Sequence, residues 1–159
     1  MSRSWRTDPY EIRAARRTRG PVPIRVTAPR PGHLHPASPS DIRTLLTELG
    51  PIGTYGVRRI ELRQQESHRG AKELFGQTRY PGLIRLYEQP HWRTSPLEGM
   101  TLREFMLYVL LHELGHHIHD HRSGKRPAPT LRTTDAEHTA DLFARRHTPT
   151  LARLRHQLV

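Results

Sequence analysis

The stretch Thr101-LREFMLYVLLHELGH-His117 decides which fold this sequence can adopt. Its first turn pairs Thr101 with Glu104, a capping box in which each side chain reaches a backbone N–H at a helix start. Apolar residues then follow at helical spacing: Leu102, Phe105, Met106, Val109 and Leu110. This stripe runs directly into two histidines and a glutamate, at positions where a buried helix would otherwise carry leucine. Imidazole and carboxylate groups need a polar partner there, and a metal ion would supply one.

His112, Glu113 and His116 form the pattern His-Glu-x-x-His. Residues four apart lie on one face of a helix, so both imidazoles can bind one metal ion while Glu113 stands beside that face. Zinc suits neutral imidazole and keeps an open position when the protein supplies three ligands. The pattern therefore predicts one zinc ion per chain, with Glu113 as the general base toward a water that the ion activates. A solvated, charged helix end is the competing interpretation, and a histidine-rich metal buffer is another.

The third ligand is predicted from the following helix, which begins near Thr134. The pattern of zinc proteases that use a third histidine fails, because Arg122 stands at that position. Glu137 can instead complete the metal site, and Asp141 can accept the second N–H of a ligand imidazole. Glu137 also fits a helix cap, and Asp141 also fits a solvated helix face. His138 is the main competitor for the third ligand.

The sequence HELGHH, followed at 137–144 by EHTADLFA, resembles the glutamate-type zincin metallopeptidases, or gluzincins. The likeness is strongest to their small members, the minigluzincins and the ImmA/IrrE-type proteins. It is specific over about 101–145 and weaker over the hairpin at 72–88. The resemblance implies an α+β, zincin-like fold, in which a small twisted antiparallel or mixed sheet packs on the active-site helix and a second helix carries a ligand.

The resemblance also implies a function, which is hydrolysis of peptide bonds in a peptide or protein substrate. The substrate would lie along an edge strand of the sheet, corresponding here to Leu83–Tyr87. Larger members of the family hold the transition-state oxyanion with a histidine and a tyrosine, which no motif places in this chain. The candidates for oxyanion or substrate contacts are His138, Tyr87, Tyr108 and His91. The remaining histidines of the stretch, His117, His119 and His121, are expected at the solvated helix end.

The formal net charge of +11 is concentrated at the two ends of the chain. Residues 1–37 carry eight arginines against two acids, and residues 142–159 carry four arginines without an acid, whereas 38–141 is nearly neutral. Residues 1–37 also contain six prolines, so we expect a disordered basic arm followed by a metallopeptidase domain over 38–159. Basic ends can bind polyanions weakly. The alternative function is therefore a nucleic-acid-associated regulator with a zincin domain, which cleaves a repressor or another protein partner.

Local patterns outside the central stretch predict the other elements. Apolar periodicity indicates a helix that Ser40 caps and Gly50 ends, and alternation at Ile60 and Leu62 indicates a strand. A hairpin is expected to turn at residues 80–82. The chain has no cysteine, no apolar run long enough for a bilayer and no apolar region of a signal peptide, so we expect a cytoplasmic protein.

Overall fold

The protein has an α+β fold, as predicted. The computed structural model describes residues 21–65, 74–79, 82–123, 134–155 and 157. In chain order, its elements are β1 (Ile24–Val26), β2 (His33–Leu34), α1 (Pro39–Gly53), β3 (Arg59–Arg63), β4 (Gly76–Arg79), β5 (Leu83–Tyr87), β6 (Gln89–Pro90), α2 (Leu102–Ser123), α3 (Thr134–Arg146) and α4 (Thr148–Leu154). The predicted strand at Ile60 and Leu62 is confirmed as β3.

The main sheet is mixed, with the strand order β1-β3-β5-β4. Strands β1, β3 and β5 are parallel, whereas β4 runs antiparallel to β5 as the first half of the predicted hairpin. Because β5 is bonded to β3 on one side and to β4 on the other, it is an interior strand. The expectation that the edge strand is Leu83–Tyr87 is therefore wrong, and β4 forms that edge in the described part of the sheet.

The predicted disordered arm is wrong for residues 21–37, which belong to the fold. Strand β1 pairs with β3, and β2 pairs with β6 in a second, two-stranded sheet. The guanidinium Nε of Arg30 lies 3.0 Å from Oε1 of Glu88, whose side chain is fully buried. These links are made by backbone groups and an ion pair. Such contacts require no apolar periodicity, so no pattern in this proline-rich segment indicates them. Residues 1–20, the rest of the predicted arm, lie outside the described residues.

The helix starts follow local capping, with one correction. Helix α1 is capped by Ser38 rather than by Ser40, since Asp41 N donates to Ser38 Oγ and Ser38 N donates to the Asp41 carboxylate, each at 3.0 Å. Its regular part stops at the predicted Gly50, where φ is +70°, and one more turn follows to Gly53. Glu104 N donates to Thr101 Oγ1 at 3.1 Å, which agrees with the predicted start of α2.

The core lies between one face of the main sheet and the helices. Helix α2 packs on β4 and β5 and against the other three described helices. The fully buried side chains of α2 belong to the same core as those of the sheet. On α2 these residues are Met106, Leu107, Leu110, Leu111 and Leu114, and on the strands they are Ile60, Leu62, Ile84 and Leu86. None of the described helices is long and apolar enough to cross a membrane. The apolar stripe of α2 packs into the core, and the polar residues that continue it lie beside α3.

Candidate metal centre

Helices α2 and α3, which carry the predicted ligands, come into close backbone contact at Gly115. A Cβ atom on Gly115 would lie 2.7 Å from Cα and 3.0 Å from the carbonyl oxygen of Ala140, which is fully buried on α3. Only glycine allows this approach, because the opposing atoms belong to the backbone. The contact brings Glu137 and Asp141, which lie three residues before and one residue after Ala140, to the histidines of α2.

Three predicted ligand residues converge on one point. His112 Nε2 and His116 Nε2 are 3.1 Å apart. The carboxylate of Glu137 spans both, with Oε2 at 3.3 Å from His112 Nε2 and Oε1 at 3.1 Å from His116 Nε2. Two atoms that each coordinate a tetrahedral zinc ion at 2.0–2.1 Å are about 3.3 Å apart. The three donor groups therefore have the spacing that a tetrahedral zinc site requires.

Asp141 fixes the orientation of the His112 ring. Its Oδ1 lies 3.1 Å from His112 Nδ1, so we assign the donated proton to Nδ1. The lone pair of Nε2 then faces the carboxylate of Glu137, and two acceptors at 3.3 Å repel each other unless a cation lies between them. The donor set thus suits a cation at this point.

Glu113 lies between these histidines and the edge strand β4. It is buried, and one carboxylate oxygen lies within 4.8 Å of a ring nitrogen of His112 and of a ring nitrogen of His116. The hydroxyl of Thr78 on β4 lies 2.5 Å from Glu113 Oε2 and 2.9 Å from its main-chain oxygen. Gly76 lets the strand come this close, since a Cβ there would lie 2.7 Å from Val109 Cγ1. Glu113 is therefore held by β4, while Glu137 spans the two imidazoles.

The site is buried on the side of α2 and open on the side of α3. The side chains of His116 and His112 are 4% and 21% exposed, whereas those of Glu137 and Asp141 are 47% and 49% exposed. A structural zinc site is closed by four protein ligands, whereas a catalytic site keeps a position that solvent or substrate can reach. Because Glu137 is half exposed, solvent reaches this side of the site.

Two of the candidate oxyanion residues lie away from this centre. Strand alternation turns Tyr87 to the face of the sheet opposite Thr78, where its hydroxyl donates to Gln77 Oε1 at 3.0 Å. His91 follows β6, and its Nδ1 lies 2.9 Å from the carbonyl oxygen of Gly32. The structure therefore does not bring Tyr87 or His91 to the histidines of α2.

The other two candidates lie on the helices of the site. His138 is exposed on α3 next to Glu137, and the described contacts to both imidazoles come from Glu137. Tyr108 is half-buried one turn before His112 and stacks on Phe105, with ring centroids 6.4 Å apart. Tyr108 lies four residues before His112 and therefore shares its helix face.

The expected solvated position of His117 is wrong. Its ring is buried, and Nε2 lies 2.8 Å from the carbonyl oxygen of Tyr55, just after α1. Helix α2 is covered from several sides, so a polar residue outside the apolar stripe still meets a neighbouring element. The side chains of His119 and His121 lie outside the described residues. The sequence also did not predict that Thr78 belongs to the site. Its contact with Glu113 joins residues 35 positions apart, and no local motif indicates such a contact.

The arrangement can bind a divalent ion and keep a carboxylate beside it for proton transfer. His112 and His116 come from α2, Glu137 and Asp141 from α3, and Thr78 from β4 supports Glu113.

No protein-family model matches this chain, and neither a curated protein nor a solved structure matches it.

Replacing Gly115 with alanine is expected to lower both the free energy of unfolding and the affinity for zinc. The helix propensity of alanine favours the change by about 1 kcal/mol, but forcing a methyl group into a packed contact costs about 1–3 kcal/mol. The opposing atoms of Ala140 are backbone and cannot move aside alone, so the second effect dominates and α3 shifts away from α2. Urea unfolding and titration against a zinc chelator would measure the two losses. A more stable variant with unchanged zinc affinity would contradict the close approach.

Proposed function

We propose that this chain is a zinc-dependent metallopeptidase of the gluzincin type, with a zincin-like fold. The observation that carries the proposal is the convergence of the two Nε2 atoms and the Glu137 carboxylate at separations of 3.1–3.3 Å. The buried carboxylate of Glu113 beside them supplies the base that hydrolysis needs. The absence of cysteine supports a cytoplasmic location as part of the proposal.

The residues that would hold zinc are His112, His116 and Glu137. Zinc bound there would act as a Lewis acid on a peptide carbonyl and make water more acidic. Glu113 accepts a proton from the attacking water and later delivers it to the leaving amine. The hydroxyl of Thr78 holds the Glu113 carboxylate in place, and Asp141 holds the ring of His112 in its ligand orientation.

The proposed substrate is an extended segment of a peptide or protein. Strand β4 is an edge of the main sheet in the described residues, and its Thr78 contacts Glu113. An extended chain that pairs with such an edge through backbone hydrogen bonds gains affinity without a specific side chain. A peptide paired with β4 would pass beside Glu113, with its carbonyl groups near the open side of the metal centre.

The proposal is tested by measuring zinc and hydrolysis in one set of proteins. The wild-type chain is expected to bind one zinc ion and to cleave members of a mixed peptide pool, and a chelator should abolish the cleavage. The variant His116→Ala should lose zinc almost completely, whereas the control His91→Ala should keep it, because His91 contacts Gly32 instead. Stoichiometric zinc in His116→Ala would refute the ligand assignment, and a zinc-loaded wild type that cleaves no peptide would refute the peptidase.

A further inference from the structure

The backbone that leads into β4 is held by the side-chain amide of Gln65, which lies two residues after the end of β3. Gln65 Oε1 accepts the N–H of Leu74 at 3.1 Å, and Gln65 Nε2 donates to the carbonyl oxygen of Leu74 at 2.7 Å. The same Nε2 donates to the carbonyl oxygen of Glu88, just after β5, at 2.8 Å. One amide therefore binds both backbone groups of Leu74, as a residue of a paired strand would.

A second amide converges on the same carbonyl oxygen. Gln89 on β6 is fully buried, and its Nε2 donates to the carbonyl oxygen of Leu74 at 3.2 Å and to that of Tyr87 at 3.1 Å. In the described part of the chain, Gln89 Oε1 is buried without a hydrogen-bond partner, which costs free energy. An apolar side chain of similar size would avoid this cost but could not hold Leu74. We call Gln65 and Gln89 together the amide clamp.

The amide clamp holds the backbone at a point where the side chain contributes little packing. The side chain of Leu74 is 42% exposed. Phe75, the next residue, packs edge-to-face on Phe105 of α2, with ring centroids 4.9 Å apart. The clamp and this ring contact together fix the direction in which the chain enters β4.

The direction of entry decides which backbone groups of β4 face its open edge. Tyr87 N donates to the carbonyl oxygen of Phe75 at 2.9 Å. Antiparallel pairing then alternates, so Gln77 bonds to β5 and Gly76 turns its N–H and C=O away from β5. A Cβ on Gly76 would lie 3.3 Å from Glu113 Cγ, so these outward groups lie beside the proposed general base. A slip of one residue in the pairing would turn Gly76 toward β5.

We propose that the amide clamp positions β4 for substrate, by holding the strand so that Gly76 presents its backbone groups to an extended chain beside Glu113. The inference rests on the proposed function, because a peptidase substrate is what would pair with this edge. The described hydrogen bonds of the two glutamines are with backbone groups, so the clamp acts through β4 and not on the reacting atoms.

The test compares two neighbouring glutamines in the full, zinc-loaded chain. Gln65→Met keeps the length of the side chain but removes its donor and its acceptor. Gln64→Met is the matched control, because Gln64 Nε2 donates to the carbonyl oxygen of Ala28, after β1, at 2.9 Å. Gln65→Glu is a second clamp variant, which keeps the acceptor and loses the donor. Circular dichroism melts and zinc content would verify that the variants fold and bind metal like the wild type.

Two measurements report on the clamp. Amide hydrogen exchange over residues 76–79, followed by mass spectrometry without substrate, should be roughly tenfold faster in Gln65→Met, because the lost hydrogen bonds let the start of β4 open. Peptide hydrolysis by the same variant should show a KM that is roughly tenfold higher, with kcat nearly unchanged. Gln65→Glu should behave alike, whereas Gln64→Met should keep the wild-type exchange and KM.

Wild-type exchange in both clamp variants would overturn the inference, and so would an equal change in Gln64→Met. With a peptide that the wild type cleaves, an unchanged KM or a loss confined to kcat would also overturn it, because the clamp would then not act on substrate binding. A zinc-loaded wild type that cleaves no peptide would refute the proposed function instead. Faster exchange in Gln65→Met would in that case still support the hold of the clamp on β4.

Discussion

Replacing Glu137 with alanine is expected to weaken zinc binding by more than roughly 100-fold. The carboxylate of Glu137 reaches both imidazoles, at 3.3 Å from His112 Nε2 and 3.1 Å from His116 Nε2. A third ligand contributes both a coordinate bond and a negative charge beside a dication, so its loss must exceed the roughly 10- to 100-fold effect of residues that only orient a ligand. Competition with a chelator of known affinity would measure the change.

Two further variants make this result specific. Asp141→Asn should weaken zinc binding by roughly 10- to 100-fold, because the amide can still contact His112 Nδ1 but lacks the charge that favours the ligand tautomer. His138→Ala is the matched control: His138 is exposed on the same helix, directly after Glu137. It should bind zinc like the wild type.

The competing role for Glu137 is a helix cap at the start of α3, and this role makes a different prediction. Loss of a cap costs about 1 kcal/mol of stability and leaves zinc binding unchanged. If Glu137→Ala bound zinc with wild-type affinity while His138→Ala did not, the third ligand would be His138. The resemblance to gluzincins would then fail at its most informative position.

The parts of the fold that could be predicted from sequence are those that local spacing determines. The start of α2 follows from Thr101 and Glu104, whose contact spans one helical turn. The hairpin of β4 and β5 likewise joins residues that are close along the chain. The proposed metal ligands His112 and His116 are four residues apart, and this spacing is enough to bring their Nε2 atoms to 3.1 Å.

The parts that sequence did not predict depend on contacts between distant residues. Strand β1 joins the sheet by pairing with β3, and a parallel pairing of backbone groups imposes no periodicity on three residues between prolines. The position of β5 in the sheet is also a global property, because only its pairing with the distant strand β3 makes it interior. The support of Glu113 by Thr78 has the same origin, since it requires β4 to lie against α2.

The distribution of charge shows the same limit. Counting charges along the chain assigns the positive excess to the two ends. Such a count adds up neighbouring residues in the sequence, although the fold places their side chains on different sides of the protein. Strand alternation sends Arg59, Glu61 and Arg63 to one side of β3, and the register adds Arg25 and Arg85 beside them. A cluster of charged side chains of this kind can be recognised only when the order and register of the strands are known.

Replacing Glu113 with glutamine is expected to abolish most peptide hydrolysis while leaving zinc and the fold in place. Glutamine has nearly the same shape, and its amide oxygen can still accept the hydrogen bond that the Thr78 hydroxyl gives to Glu113. It cannot accept a proton from the attacking water, so the rate should fall by roughly 100- to 10,000-fold, the usual contribution of a general base. Zinc content, thermal unfolding and cleavage of the same peptide substrate would be measured together.

Thr78→Val separates the presence of the base from its orientation. Valine keeps the volume of threonine and leaves the carboxylate of Glu113 intact, but it removes the hydroxyl 2.5 Å from Oε2. This variant should keep zinc and lose less activity than Glu113→Gln, because a base that is free to turn still accepts a proton in a fraction of its orientations. Thr78→Ser should recover most of the loss. A fully active Glu113→Gln protein with bound zinc would remove Glu113 from the mechanism, and the hydrogen bond from Thr78 would then serve only to fasten β4 to α2.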